Sequence, residues 1–296
     1  MFRFAPTPSG FLHLGNAASM VLTYVLAKAA EKKILLRIDD IDAARARDVY
    51  IEDLFRCLDW LGIEYDLGPQ NLSDFKQTWS QQHRYDLYFD LIRLLENKGL
   101  VYKSNTSKKE LELAENKLTC LRTALPLQTQ TQITQDFSKR ILVDNNWKVS
   151  LNDQLHPPTL SRLVDNMQDP VILRRDGVPA YQIASLADDL HFGVNSWVRG
   201  LDLIDSTALQ FYMLEKVESP FLNTLKTWHH PLVVDEHGKK LSKSEGASSI
   251  KALRHSGASV ALVYNLVANW LKINPKAPIQ SITELQVLYR EAFGER

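Results

Sequence analysis

Two short stretches, far apart in the chain, combine residue types that bind phosphate. The first, residues 2–16, has an apolar start, a Pro-Thr-Pro-Ser-Gly loop and then His13-Leu-Gly-Asn before an apolar run. A strand, a glycine-bearing loop and a helix start together direct backbone N–H groups and the positive end of a helix dipole at an anion. The spacing matches neither the dinucleotide fingerprint nor the P-loop lysine motif. It predicts a different phosphate-binding loop, with Asn16 as the N-cap of the helix.

The second stretch, residues 238–246, reads Gly-Lys-Lys-Leu-Ser-Lys-Ser-Glu-Gly. Lysines act as point charges on a polyphosphate, and serine hydroxyls can bond its remaining oxygens. Taken alone, the stretch is equally typical of a solvated basic loop. Together with His13, it predicts the opposite half of one phosphate site.

A strand–helix–strand pattern supports the first stretch. Residues 34–38 form a short apolar run after the expected helix at 17–30, which predicts a βαβ unit and a parallel sheet. Three acids, Asp39, Asp40 and Asp42, follow this strand, at the end where ligands bind in such sheets. Alternatively, these acids only start the next helix, expected at 45–61.

The pattern changes along the chain and suggests four segments. We expect a first half of a sheet domain at 1–100, an inserted subdomain at 101–170, a second half at 171–248 and a short helical segment at 249–296. Asp188 and Asp189 are interpreted as sheet-edge or loop acids and not as a metal pair. Further helices are expected at 80–98, 208–217, 249–255, 257–272 and 281–293, and further strands at 141–143, 147–151, 171–175, 195–199 and 230–234.

Composition excludes several classes of protein. Lys plus Arg and Asp plus Glu are both 35 in 296 residues, so a nucleic-acid contact requires a local basic patch. Two cysteines, Cys57 and Cys120, exclude a disulfide framework and favour a reducing compartment. Since neither a signal peptide nor a membrane-spanning apolar run is visible, we expect a cytoplasmic protein that does not bind membranes.

Several motifs in order resemble the class I aminoacyl-tRNA synthetases. The opening is similar to their HIGH signature and KLSKS at 240–244 to their KMSKS loop. The glutamyl branch is indicated by RFAPTPSGFLHLG at 3–15, LRIDDID at 36–42, AYQIA at 180–184 and VRGLDLIDST at 198–207. The resemblance implies an α/β fold: a Rossmann-like (HUP-type) catalytic domain with a parallel sheet, an inserted acceptor-binding-like α+β subdomain and a short C-terminal helical segment.

The length of the chain indicates which member of the glutamyl branch it resembles. A full glutamyl-tRNA synthetase continues into an anticodon-binding domain, for which we expect no room here. The shorter plan resembles the glutamyl-Q tRNA(Asp) synthetases, which attach glutamate to the queuosine base of tRNA(Asp). This implies a monomeric ligase that uses ATP, Mg²⁺, glutamate and tRNA. Two alternatives stay open: a different acceptor for activated glutamate, or a catalytically retired paralogue that only binds tRNA or a partner.

The resemblance also implies roles for individual residues. A planar guanidinium suits a substrate carboxylate, an acid suits the α-ammonium group, and Tyr181 offers a hydroxyl. His13 could instead only cap a loop, Tyr181 could be a core aromatic, and Arg199 could pair with Asp202 or Asp205. The implied catalytic residues are His13 and Lys243; the ATP site adds Gly15, Asn16, Lys240 and Ser242; the glutamate site comprises Arg3, Ala5, Pro6, Thr7, Asp39, Tyr181 and Arg199.

Two features of the sequence, one in the glutamate site and one in the insertion, depart from the family pattern. Asp39 is one methylene shorter than the usual glutamate, so its contact with substrate could run through water. The family's Cys-x-Cys, Tyr and Cys zinc ligands are replaced by Ser104, Thr106 and Asn116, with Cys120 retained, so we predict that zinc is absent. Five basic residues of the insertion could form a local patch that binds tRNA in a salt-sensitive manner, or they could simply be a solvated surface. They are Lys103, Lys108, Lys109, Lys117 and Arg122.

Overall fold

The computed structural model describes residues 1–106, 110, 137–157, 159–161, 167, 169–233 and 249–294, with only the backbone at 159–161. Several predicted positions lie outside these residues. They are Lys240, Ser242 and Lys243 of the basic loop, the zinc positions Asn116 and Cys120, and the patch residues Lys108, Lys109, Lys117 and Arg122.

Strands and helices alternate through the described chain. The helices are α1 (Leu14–Ala29), α2 (Asp48–Trp60), α3 (Tyr85–Asn97), α4 (Tyr181–Phe192), α5 (Ile204–Lys216), α6 (Ile250–His255), α7 (Ala261–Trp270) and α8 (Ile282–Phe293). Short helical turns lie at Leu72–Asp74, Phe75–Trp79, Gln81–Arg84, Leu201–Leu203 and Pro220–Thr224. The strands are β1 (Phe2–Phe4), β2 (Ile34–Leu36), β3 (Val101–Ser104), β4 (Ser138–Ile141), β5 (Val149–Leu151), β6 (Thr159–Ser161), β7 (Val171–Leu173), β8 (Ser196–Gly200) and β9 (Lys226–His230).

The expected parallel sheet is confirmed. Its strand order is β2-β1-β8-β9, and every pair is parallel. Strands β1 and β2 are completely buried, as is typical of a parallel sheet covered on both faces. Because parallel strands end at one edge, the residues after β1, β8 and β9 meet there.

Helix α1 begins three residues earlier than expected, at Leu14. Its N-cap is His13, whose Nδ1 accepts a hydrogen bond from the Asn16 backbone N–H at 3.3 Å. The Asn16 side-chain oxygen accepts the His13 backbone N–H at 3.1 Å, which completes a reciprocal capping box. The prediction of Asn16 as N-cap is therefore wrong, because the histidine ring supplies the acceptor one turn earlier.

An antiparallel sheet, β3-β4-β7, and a two-stranded β5-β6 pair follow residues 1–100. Antiparallel pairing matches the α+β character expected between 101 and 170. However, β7 pairs with β4 and begins at Val171, so this sheet continues past the expected boundary at 170. The four-segment division of the chain remains a prediction.

Three local predictions are wrong. The last parallel strand is Lys226–His230 and not 230–234, because pairing with β8 stabilises a polar sequence that lacks an apolar run. The helix expected at 208–217 is α5, which begins four residues earlier, at Ile204, and has no side-chain cap. Asp205, Ser206 and Thr207 therefore lie in its first turn. Asp188 and Asp189 lie within α4 and are completely buried, where arginines neutralise them.

Two apolar clusters cover the parallel sheet. One joins α1 and α2 to α7 and α8, and the other joins α3, α4 and α5. Among the described residues, no helix combines the length and the hydropathy needed to span a bilayer.

Candidate active site

A cavity of about 200 Å³ lies at the carboxyl edge of the parallel sheet. Loops after β1, β8 and β9 form its walls, together with the first turns of α1 and α4. The cavity does not include Thr7 or Asp39 among its described lining residues. It does bring together most of the predicted site residues within the described chain: Arg3, Ala5, Pro6, His13, Gly15, Asn16, Tyr181 and Arg199.

The N-terminus of α1 forms one wall of the cavity. A side chain at Gly15 would place its Cβ 3.0–3.1 Å from the His13 ring, so glycine leaves room for the ring in its capping position. The first turn of this 16-residue helix carries no acidic residue that would compete for the helix dipole. Backbone N–H groups and the dipole therefore favour an anion at this wall.

Arg199 borders the cavity at the end of β8 and is only 3% exposed. Its Nη1 donates to Thr207 Oγ1 at 3.1 Å, and its guanidinium carbon lies 4.3 Å from the centre of the Trp197 ring. Its Nε and Nη2 have no hydrogen-bond partner within the described chain, although Nη2 lies 3.8 Å from Asp189 Oδ2. Burial, reinforced by neighbouring arginines, lowers the pKa of Arg199 to about 10. A carboxylate entering the cavity would accept hydrogen bonds from these two nitrogens and stabilise the buried charge.

Arg37 lies behind the cavity and binds carboxylates with its whole guanidinium. Its Nε and Nη2 donate to the two oxygens of Asp39 at 2.6 and 3.0 Å, and Nη1 donates to Asp189 at 2.6 Å. Ser185 accepts two further bonds, at 3.1 and 3.2 Å. Burial opposes the charge, but the surrounding carboxylates raise the pKa of Arg37 well above its usual value.

This pairing bears on the predicted role of Asp39. Both of its carboxylate oxygens bind Arg37, and its backbone N–H donates to Pro6 at 2.9 Å. The geometry therefore does not support a direct contact between Asp39 and a substrate α-ammonium group. Burial raises the pKa of Asp39, which Arg37 counteracts. In this arrangement Asp39 holds the loop after β2 in place.

Asp188 extends the same buried network away from the cavity. Its carboxylate accepts from Arg84 Nε at 2.7 Å, Gln81 at 2.9 Å and the Tyr88 hydroxyl at 3.0 Å. Burial opposes its charge, but these donors and Arg37 lower the pKa of Asp188. Asp189 accepts from Arg37, and its Oδ1 lies 3.0 Å from Arg3 Nε. Asp189 is thus closer to Arg3 than to Arg199, whose Nη2 lies 3.8 Å from Asp189 Oδ2.

The model for the catalytic domain of class I tRNA synthetases (E and Q) matches residues 1–269. The chain belongs to this family. Glutamate–tRNA ligase 1 of Ehrlichia chaffeensis is 32% identical over 296 residues, covering 96% of this chain and 62% of that protein. Glutamyl-Q tRNA(Asp) synthetase of Synechococcus sp. is 32% identical over 298 residues, covering 99% and 90%. This chain therefore spans less than two thirds of the ligase.

A solved structure shows the same fold. The glutamate–tRNA synthetase of Elizabethkingia anophelis superposes with a TM-score of 0.78 at 24% identity, covering 96% of this chain and 64% of that one. The class I synthetase fold, with its parallel sheet and flanking helices, is thereby confirmed.

Other lining residues of this synthetase site were not evident from the sequence. His230 lies at the end of β9, and its ring stacks on Trp270 with centroids 4.4 Å apart. Burial lowers the pKa of His230, which favours a neutral ring. Asp202 and Ser19 also line the cavity. The sequence signal for His230 is weak because its strand lacks the apolar pattern.

The described part of the site fits ATP better than it fits a protein-held metal. The N-terminus of α1 offers the anion site that a triphosphate needs. The chain as described contains no group of three or more His, Cys, Asp or Glu residues that could hold a metal. At the former zinc positions, Ser104 Oγ accepts the Thr106 backbone N–H at 3.3 Å. The absence of zinc remains a prediction.

Proposed function

We propose that the protein condenses glutamate with ATP to glutamyl adenylate and pyrophosphate, and then transfers the glutamyl group from the adenylate to the queuosine base of tRNA(Asp) with release of AMP. The supporting observation is the juxtaposition, in one cavity, of a buried guanidinium with unpaired donors and the N-terminus of a helix. The first feature suits a carboxylate and the second a phosphate.

The chemistry follows from that juxtaposition. A glutamate carboxylate oxygen attacks the α-phosphorus, a new P–O bond forms, and the bond from the α-phosphorus to pyrophosphate breaks. No proton transfer to the attacking carboxylate is needed, so positioning and charge stabilisation supply the catalysis. His13, Gly15 and Asn16 hold the triphosphate, and Lys243, with Lys240 and Ser242, stabilises charge on the leaving pyrophosphate. Mg²⁺ bound to the phosphates adds further neutralisation.

Glutamate differs from most amino acids in having a second carboxylate. Arg199 binds this non-reacting carboxylate, since its unpaired Nε and Nη2 can donate two hydrogen bonds. Tyr181, at the first turn of α4, lines the same cavity and offers a hydroxyl to the substrate. Arg3, Ala5 and Pro6 close the wall after β1.

The choice of acceptor is supported by the relatives. Proteins named glutamyl-Q tRNA(Asp) synthetase from Synechococcus sp. and Symbiobacterium thermophilum are 32% and 33% identical, and the chain covers 90% and 84% of them. The alternative is an acceptor other than tRNA(Asp), with the same activation step.

Glutamate-dependent exchange of pyrophosphate into ATP tests the activation step. Purified protein is assayed with each amino acid in turn, with and without tRNA. Exchange with glutamate, well above that with aspartate or glutamine, is expected. Exchange with none of the amino acids would refute the proposed activity.

The acceptor is tested on tRNA(Asp) from cells with and without the gene. Mass analysis of the queuosine nucleoside should show a glutamyl adduct that is lost when the gene is deleted and restored by a plasmid copy. An unchanged nucleoside in the deletion strain would exclude tRNA(Asp) as the acceptor and leave the activation step untouched.

A further inference from the structure

A chain of hydrogen bonds leads from the segment between β5 and β6 to Arg199. Asp153 Oδ2 lies 2.6 Å from His229 Nδ1 and accepts the His229 backbone N–H at 2.9 Å. On the other side of the ring, His229 Nε2 lies 2.9 Å from Thr207 Oγ1. Thr207 Oγ1 then accepts from Arg199 Nη1 at 3.1 Å. Each link is within hydrogen-bonding distance.

The backbone fixes three of the four residues joined by these hydrogen bonds. Arg199 and His229 are register partners on the parallel strands β8 and β9, so their side chains lie on the same face of the sheet. Thr207 lies in the first turn of α5, which follows β8 after the short helical turn Leu201–Leu203. All three residues are at most 3% exposed, so water does not compete for these bonds.

The outer member, Asp153, is fixed as firmly. Its Oδ1 accepts the backbone N–H groups of Leu155 and His156 at 2.9 and 3.2 Å. The next residue, Gln154, donates its backbone N–H to Thr227 of β9 at 2.9 Å. Burial opposes the charge, but His229 and the backbone donors hold the pKa of Asp153 below its usual value. Asp153 is therefore an ionised acceptor that requires His229 Nδ1 to carry a proton.

The Asp–His–Thr order also resembles a nucleophile with its base, but the burial excludes that use. Thr207 is completely buried, and its hydroxyl lies between Arg199, His229 and the Leu203 carbonyl, 3.1 Å away. It is not among the described residues that line the cavity, whereas Arg199 is. Of the four hydrogen-bonded residues Asp153, His229, Thr207 and Arg199, Arg199 alone is among the described residues that line the cavity.

We propose that Asp153, His229 and Thr207 are positioning residues that hold the Arg199 guanidinium in the orientation in which it receives the substrate carboxylate. This inference rests on the proposed function. It means that a segment within the expected insertion sets glutamate affinity without touching glutamate. Thr207 occupies Nη1 and Trp197 covers one face of the guanidinium, which leaves Nε and Nη2 for the ligand.

Thr207→Val tests the proposal because valine keeps the shape and removes the acceptor. In pyrophosphate exchange, we expect the KM for glutamate to rise about tenfold, with the KM for ATP and kcat nearly unchanged. Thr207→Ser retains the hydroxyl and should restore the wild-type KM. Asp153→Asn should give an intermediate rise. An unchanged glutamate KM in Thr207→Val would overturn the proposal, provided that Arg199→Met raises it.

A double-mutant cycle separates positioning from general structural support. In an Arg199→Met background, Thr207→Val should not raise the glutamate KM further, because the residue on which it acts is absent. Multiplicative effects would show that Thr207 acts independently of Arg199 and would overturn the proposal. Thermal melting of each variant checks that the fold is intact.

A failure of the proposed function can be distinguished from a failure of the proposed positioning role of Asp153, His229 and Thr207. If the wild type shows no exchange, NMR of nitrogen-15-labelled protein still examines the links. The Arg199 guanidinium resonances should shift in Thr207→Val and stay near wild type in Thr207→Ser. Unshifted resonances in Thr207→Val would show that Thr207 does not position the Arg199 guanidinium, whatever the enzyme's activity.

Discussion

Arg37 and Arg199 are both almost completely buried near the same sheet edge, yet their surroundings are opposite. All the guanidinium nitrogens of Arg37 donate to Asp39, Asp189 or Ser185, and its pKa is raised. Arg199 has a single hydrogen-bonded nitrogen within the described chain, and its pKa is lowered to about 10. A guanidinium whose nitrogens are all hydrogen-bonded stabilises a scaffold, whereas one with unbonded nitrogens beside a cavity is available to a ligand.

The two regions should respond differently to substitution. Variants of the paired network should lose stability first. Variants around Arg199 and α1 should lose substrate binding first. The following changes test that difference, beginning with the largest expected effect.

Asp188→Asn should lower the free energy of unfolding by about 3–5 kcal/mol, because Arg84 and Arg37 lose a buried counter-charge. Chemical denaturation measures the loss. Asp176→Asn is the matched control: its carboxylate pairs with Arg174 and is 49% exposed, so a change below about 0.5 kcal/mol is expected. Equal effects of the two substitutions would contradict the distinction between the regions.

Arg199→Met should raise the glutamate KM at least about 100-fold, since two charge-assisted hydrogen bonds to substrate are lost. Its free energy of unfolding should stay within about 1 kcal/mol of wild type, because a buried guanidinium with two nitrogens that lack hydrogen bonds within the described chain is removed and packing on Trp197 is retained. Arg174→Met, at a half-exposed arginine, should leave the kinetics unchanged. A large loss of stability without a change in KM would assign Arg199 to the scaffold.

On acidification, stability should respond first at His230 in the cavity and later at Asp188 in the paired network. His230 has a lowered pKa, so the unfolded chain binds a proton at this residue below about pH 6.5 while the folded chain resists it. Its contribution to stability is complete above the unfolded value and falls by up to about 1.4 kcal/mol per pH unit below it. His230→Gln should flatten this slope, whereas exposed His191→Gln should not. Asp188, whose pKa is lowered, loses its contribution only below about pH 4.

His13→Ala should cost about 1 kcal/mol of stability through the lost N-cap and should raise the KM for ATP. Ser281 caps α8 in a similar way, accepting the Glu284 backbone N–H at 3.1 Å, and lies far along the chain from the cavity residues. Ser281→Ala should therefore cost similar stability with unchanged kinetics. If both variants bind ATP like the wild type, the N-terminus of α1 is not the phosphate site.

Residue patterns predicted the parallel sheet and most of the cavity. Local signals were sufficient for β1, β2 and α1, because apolar runs and loop residues lie next to one another in sequence. They failed for β9, whose Lys-Thr-Trp-His-His sequence becomes a strand only by pairing with β8. They also failed for the N-cap of α1, which is His13. Asn16 lies nearby, and asparagine is the more common N-cap residue, so the sequence favoured the wrong position.

The assignments of charged residues could not follow from sequence. Asp39 pairs with Arg37, which is only two residues away in the sequence. Whether Asp39 contacts this arginine or the substrate, however, depends on the position of Arg37, which Asp188 and Asp189 of the distant helix α4 also bind. Arg199 Nη1 donates to Thr207 Oγ1 because α5 begins earlier than its sequence indicates, which brings Thr207 into the first turn of that helix. Long-range neutralisation decides which charges remain available.

Calorimetric titration with a non-hydrolysable analogue of glutamyl adenylate tests the role of the cavity most directly. The wild type should bind one equivalent, Arg199→Met should bind at least about 100-fold more weakly, and Arg174→Met should bind like the wild type. Equal affinity of the wild type and Arg199→Met for the analogue would contradict the assignment of Arg199 as the carboxylate-binding residue.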